Sequence, residues 1–162
     1  MALLIFTRPV AVKMYCRYIT SNIDIIGKKM PPGITLTNSD FDRAQIKVAL
    51  GTWDYRTYGG SKDSPVHINT TDANTFVDFS KDPSTIAHGD LIIYNDGYVL
   101  NGLDMVSAST GEWAEYIIPL DYHDMDKLPT HIIVSCAASQ YGDYFTGCSS
   151  SKLWIDKVEL VY

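Results

Sequence analysis

Two short segments set ring side chains among polar ones at close spacing. One is Thr52-Trp53-Asp54-Tyr55-Arg56-Thr57-Tyr58-Gly59-Gly60; the other is Gln140-Tyr141-Gly142-Asp143-Tyr144-Phe145-Thr146-Gly147. The flat, weakly apolar face of a pyranose stacks on Trp or Tyr, and nearby polar groups bond its hydroxyls. Trp53, Tyr55, Tyr58, Tyr141 and Tyr144 are therefore candidate stacking rings, with Asp54, Arg56 and Asp143 as candidate polar partners. A single ring in such a loop is more often packed beneath it. Two such loops in one small chain favour a shared surface.

Other chemistries find less support. No Gly-x-Ser-x-Gly elbow occurs, and none of His67, His88, His123 and His131 lies in a motif pairing it with a nucleophile. His131 opens an apolar stretch and reads as a strand-end residue bonded to the backbone. Glycoside hydrolysis needs two carboxyl groups across a cleft. Glu112 and Glu115 are close in sequence but point to opposite faces of a strand, so they read as solvated charge. Asp121, Asp124 and Asp126 lack the Gly and terminal Glu of an EF-hand loop and read as an exposed acidic turn. Cys16, Cys136 and Cys148 are odd in number and contain no CxxC pair, which favours unpaired thiols over a zinc site or a closed disulfide set; a Cys136–Cys148 bridge is the alternative.

The elements that must position these residues are strands. Residues 9–19 alternate, with Val10, Val12, Met14, Cys16 and Tyr18 on one face. Residues 43–50 alternate again with Ala44, Ile46, Val48 and Leu50 inward, and Gly51 marks a bulge or bend. Further strands are expected at 66–69, at 91–94 before the Asn95-Asp96-Gly97 turn, at 112–122, at 131–139 and at 152–162, with a short helical turn at 83–87. Pro119 argues for an edge or a bulge late in the 112–122 strand. In the last strand Trp154, Asp156, Val158, Leu160 and Tyr162 are in phase and expected to face the core, so Asp156 needs an outward bulge, a basic partner or a cation. Seven or eight strands without a helix of normal length predict an all-β sandwich or jelly roll, organised as one domain over residues 1–162. The 162 residues can bury a core without metal or disulfides. The net charge of -6 and scattered basic residues disfavour nucleic acid as a partner. No stretch reads as a signal peptide or a transmembrane helix.

Residues 129–162 carry a resemblance. The pieces Pro129-Thr130-His131-Ile132, Tyr141-Gly142-Asp143-Tyr144-Phe145-Thr146-Gly147 and Ser151-x-Leu153-Trp154-Ile155-Asp156-x-Val158-Glu159-Leu160-Val161-Tyr162 resemble the closing segment of the putative carbohydrate metabolism domain. Phe6-Thr7-Arg8-Pro9 leading into Tyr15-x-x-Tyr18, and Asp42-Arg43-Ala44-Gln45-Ile46, add to it. The resemblance implies a jelly-roll, galactose-binding-like β-sandwich. It implies a glycan (polysaccharide or oligosaccharide) as partner, and a C-terminal position behind other domains of an exported or lipid-anchored surface protein of gut Gram-negative bacteria, outside the cell or in the periplasm. A structural calcium is also implied, held by acids of the first and last strands. Asp156 stands at the motif position and Asp42 is the candidate second acid, while Lys157 replaces an acid found in many relatives. Non-catalytic glycan binding is the expected function; a glycoside hydrolase and a structural or adhesive surface module are the alternatives.

Overall fold

The computed structural model describes residues 2–4, 7–54, 56, 61, 63, 78, 81–106 and 111–162. Among these residues ten strands follow in chain order: β1 (Ala2–Leu4), β2 (Ala11–Ile19), β3 (Ala44–Gly51), β4 (Thr85–Ile93), β5 (Gly97–Leu100), β6 (Leu103–Val106), β7 (Ala114–Pro119), β8 (Asp121–Tyr122), β9 (His131–Ala137) and β10 (Lys152–Val161). They form two antiparallel sheets. One runs β1-β9-β3-β4-β5-β6 with β8 also on β4; the other is β10-β2-β7. Among the described residues no helix is long and apolar enough to cross a membrane.

The period-two pattern puts one side of each sheet into a common core. β2 contributes Val12, Met14, Cys16 and Tyr18; β3 contributes Ala44, Ile46, Val48 and Leu50, as the alternation of both segments predicts. Leu91, Tyr116, Ile118 and Ile132 close around them, and Tyr98 meets Tyr116 edge to face at 5.1 Å across the sandwich. Each fully buried aliphatic side chain stabilises the fold by about 1.5–3 kcal/mol. The expected irregularity at Gly51 is present as a register shift against β4.

Four expectations need revision or fall outside the description. The helical turn expected at 83–87 is instead the start of β4. Asp82 accepts from Ser84 N through its side chain and from Thr85 N through its carbonyl, and this tight turn releases the β-branched Thr85-Ile86 pair straight into the ladder with β3. The single strand expected at 112–122 is two strands in different sheets. Pro119 ends β7 on the sheet edge, Leu120 N bonds to Val10 O, and Asp121–Tyr122 then pairs with β4. The phase expected for the last strand is inverted in its first half. Leu153 and Ile155 pack on the core, Trp154 and Asp156 face outward, and a bulge between Asp156 and Glu159 restores the expected phase at Leu160. The strand expected at 66–69 lies outside the described residues. The β5–β6 hairpin went unread: it turns on Asn101-Gly102, both at positive φ (47° and 83°), a pair suited to a two-residue hairpin loop.

Candidate functional site

The outer face of the three-stranded sheet concentrates exposed rings and charges. Alternation that sends Met14, Cys16 and Tyr18 inward sends Lys13, Tyr15 and Arg17 outward from its central strand, β2. Register then builds rows across three strands. Trp154 pairs with Arg17, and Trp113, the residue before β7, continues the alternation onto the same face. Trp154 is 38% exposed and Trp113 48%. The Arg17 guanidinium carbon lies 5.2 Å from the Trp154 ring centroid, and Nε donates to Gly111 O at 2.6 Å, which fixes the cation beside the Trp154 ring.

The next row is Asp156, Tyr15 and Glu115. The Glu115 carboxylate beside the Tyr15 hydroxyl raises that phenol, keeping it a donor, and Lys157 Nζ sits 5.2 Å from its ring. The third row is Glu159, Lys13 and Ile117, with a 2.7 Å ion pair between Lys13 and Glu159 that raises the lysine. Charge on this face is balanced in sign, with Lys13, Arg17 and Lys157 set against Glu115, Asp156 and Glu159, and Lys13 is ion-paired with Glu159. The face offers rings bordered by fixed donors and acceptors, which suits a neutral polyhydroxyl ligand better than a polyion.

The aromatic loops expected to share a surface lie at opposite ends of β3. Thr52 N and Thr130 N bond to Ser84 O and Gly51 O at one end, whereas Gln140 N bonds to Arg43 O at the other. Eight strand residues, roughly 25 Å, separate them. Trp53 is half-buried, and its six-membered ring occupies the space a Cβ on Gly51 would need, 2.7 Å away. Asp54 pairs with Arg56 at 3.2 Å, which together with the Arg56 backbone N–H lowers the Asp54 carboxyl. Tyr55 and Tyr58 lie outside the described residues. At the far end Tyr141 and Tyr144 are half-buried and Asp143 is exposed on a 3-10 turn, Gly142–Tyr144, after which Phe145 adopts φ 55° and is 66% exposed.

The two acids expected to share a cation do not fit one. Asp42 is 2% exposed, and its Oδ2 accepts from Ser139 Oγ (2.5 Å), Ser151 Oγ (2.8 Å) and Cys148 N (2.9 Å), while Oδ1 accepts from Arg43 N (2.8 Å). Those lone pairs are the ones a calcium ion would need. Asp156 is exposed, accepts from Lys157 N, and lies five strand residues beyond Ser151, roughly 16 Å along β10. The acidic segment at 121–126 is a turn in which Asp124 accepts from Asp126 N and Lys127 N and pairs with Lys127 Nζ at 2.9 Å. His131 bonds the Thr130 hydroxyl rather than the backbone. The three thiols are free, and burial pushes Cys16 up to about 12, which leaves it unreactive at neutral pH.

Alternation of residues 9–19 sets Tyr15 and Arg17 opposite the core-facing residues, but neither was read as a candidate binding residue, and Trp154 was expected in the core.

The family model described as "Putative carbohydrate metabolism domain" matches residues 6–161. Among solved structures, the chain resembles a protein described as a putative glycoside hydrolase from Bacteroides thetaiotaomicron, with a TM-score of 0.60, 17% identity, and coverage of 100% of this chain but 40% of that one. A second, likewise described, from Bacteroides vulgatus has a TM-score of 0.55 and 20% identity, covering 99% and 55%. This chain thus spans about half of each neighbour or less. No curated protein matches significantly. The chain belongs to the family of putative carbohydrate metabolism domains, and its two-sheet β-sandwich is the architecture that its closing motifs imply.

Proposed function

We propose that this domain is a non-catalytic glycan-binding module, and that the outer face of the β10-β2-β7 sheet is its binding surface. The observation that carries the reading is the exposed Trp154 ring with the Arg17 guanidinium fixed beside it by Gly111 O, on a sheet whose edge strand is preceded by a second exposed tryptophan, Trp113. A sugar chain laid across the row would stack on the rings, while Tyr15, Glu115 and Asp156 bond its hydroxyls. In a longer exported or surface protein such a module would hold a polysaccharide near a partner domain.

The test is a glycan array on the purified domain, followed by titration of the best polysaccharide. Trp154→Ala and Trp113→Ala should each cost about 2 kcal/mol, roughly thirtyfold in Kd. Trp53→Ala, whose ring packs on Gly51, should leave Kd unchanged. A bound polysaccharide indifferent to both Trp154→Ala and Trp113→Ala would sink the surface.

A further inference from the structure

The end of the sandwich remote from Trp53 holds a concavity of about 350 Å³, whose walls include Asp40, Phe41, Arg43, Tyr94, Asn95 and Asp96. Two separately fixed segments form it. Residues 37–43 are locked by Asp40, whose Oδ2 accepts from Thr37 N at 2.7 Å and Thr37 Oγ1 at 2.9 Å, and by the Asn22–Phe41 bridge. The β4–β5 turn is closed by Tyr94 N to Gly97 O at 3.0 Å, and the Tyr94 ring rests on Gly97, where a Cβ would come within 3.0 Å of it. Arg43 lies over that ring with its guanidinium carbon 5.6 Å from the centroid, and no carboxylate of the described residues comes within ion-pair distance of it.

The chemistry of the walls is mixed. The Asp40 carboxyl, held low by its Thr37 donors, is an ionised acceptor. The Tyr94 phenol, raised by burial and by Asp104 and Asp96, stays protonated. Arg43 presents a fork of donors with one face already covered, and Phe41, 44% exposed, supplies an apolar wall. The volume lies at the small end of ligand sites, enough for one sugar ring rather than a chain. Two carboxylates against one guanidinium oppose an anionic ligand, whereas the hydroxyls of a neutral sugar can donate to Asp40 and Asp96 and accept from Arg43.

We propose that this cleft is a second carbohydrate subsite, which takes a single neutral pyranose at a chain end or branch point. The inference rests on the carbohydrate reading above but not on the sheet face.

The experiment is a 1H–15N NMR titration of the full chain with methyl glycosides of neutral hexoses and, in parallel, methyl glucuronide. At least one neutral glycoside should shift the amides of residues 40–43 and 94–97. Arg43→Lys, which keeps the charge and loses the fork, and Asp96→Asn should each weaken it about tenfold, with the rest of the spectrum unmoved. Trp113→Ala/Trp154→Ala should leave these shifts intact. Cleft shifts without polysaccharide binding on the sheet face would uphold the subsite and remove the face. Silence of these amides towards every neutral glycoside, or preference for the glucuronide, would overturn the subsite, whatever the sheet face does.

Discussion

Asp42 and Asp90 are both carboxylates removed from water, and their surroundings treat them oppositely. Asp42 gathers four donors, tying residues 139–151 to the start of β3. Asp42→Ala strands those donors and should cost about 2–4 kcal/mol in urea denaturation, with Asp42→Asn intermediate. The room around it is tight: a Cβ on Gly147 would fall 2.5 Å from Ser139 Oγ and 3.2 Å from Asp42 Oδ2. Asp90 keeps only the Gln45 amide, at 3.0 Å, as side-chain donor, and desolvation raises its carboxyl. A raised acid destabilises the fold above its folded pKa and ceases to do so below its unfolded one. Asp90→Asn should therefore be more stable than the parent at pH 7, and the gap should close as pH falls below 3.8. An acid-independent gap would show that burial is not its cause. Neither role was legible in the sequence, where Asp42 was readable only as an acid opening a strand and Asp90 did not stand out.

Elements were legible where both faces of the pattern agreed. β2 and β3 alternate cleanly and were placed from residue types alone, with their inward sets correct from Val12 and from Ala44 onward; Val10, expected inward, precedes β2 and is 56% exposed, and Ala11 is buried instead. β10 was found but mis-phased, because Lys157, at φ 51°, adds one residue opposite Met14; Trp154 and Asp156 point out before the bulge, and the inward phase resumes at Leu160. Deleting Lys157 would restore plain alternation and turn Val158, now 46% exposed, towards the core. The β5–β6 hairpin was short enough to escape a period count, yet its turn residue does more than turn. Asn101 Oδ1 accepts from Asp90 N at 2.8 Å and Nδ2 donates to Pro119 O at 3.0 Å, bridging the place where β5 gives way to β8 along β4. Asn101→Gly keeps the left-handed turn and should lose about 1 kcal/mol. Asn101→Ala forfeits both bonds and strains the backbone, costing about 2 kcal/mol. Equal losses by thermal melts would place no weight on the turn geometry.

At the scale of the molecule, the fold followed from composition and period, while the site did not, because β3 carries the two aromatic loops to opposite ends and no sequence spacing reveals that. Carboxylates also fasten loops to one another and close turns. Asp24 is lowered by the Ser149 hydroxyl and amide, and Asp124 by Lys127 and neighbouring amides. Their folded pKa values lie below the unfolded 3.8, so their contribution is complete above it and lost as pH falls through the lowered values. Melting temperature should hold from neutral pH down to that range and then drop, and Asp24→Asn should flatten part of the drop. The bulge in β10 has a consequence for shape as well as phase. An extra residue sharpens the right-handed twist of its strand pair, which predicts a saddle rather than a plane next to Trp154 and Arg17. A single dissolved chain can coil to follow a saddle, whereas a crystalline ribbon meets it at one point. On the glycan-binding proposal, the domain should be retained by soluble or amorphous polysaccharide and washed from microcrystalline forms of the same polymer, a topographic selectivity that deletion of Lys157 should relax.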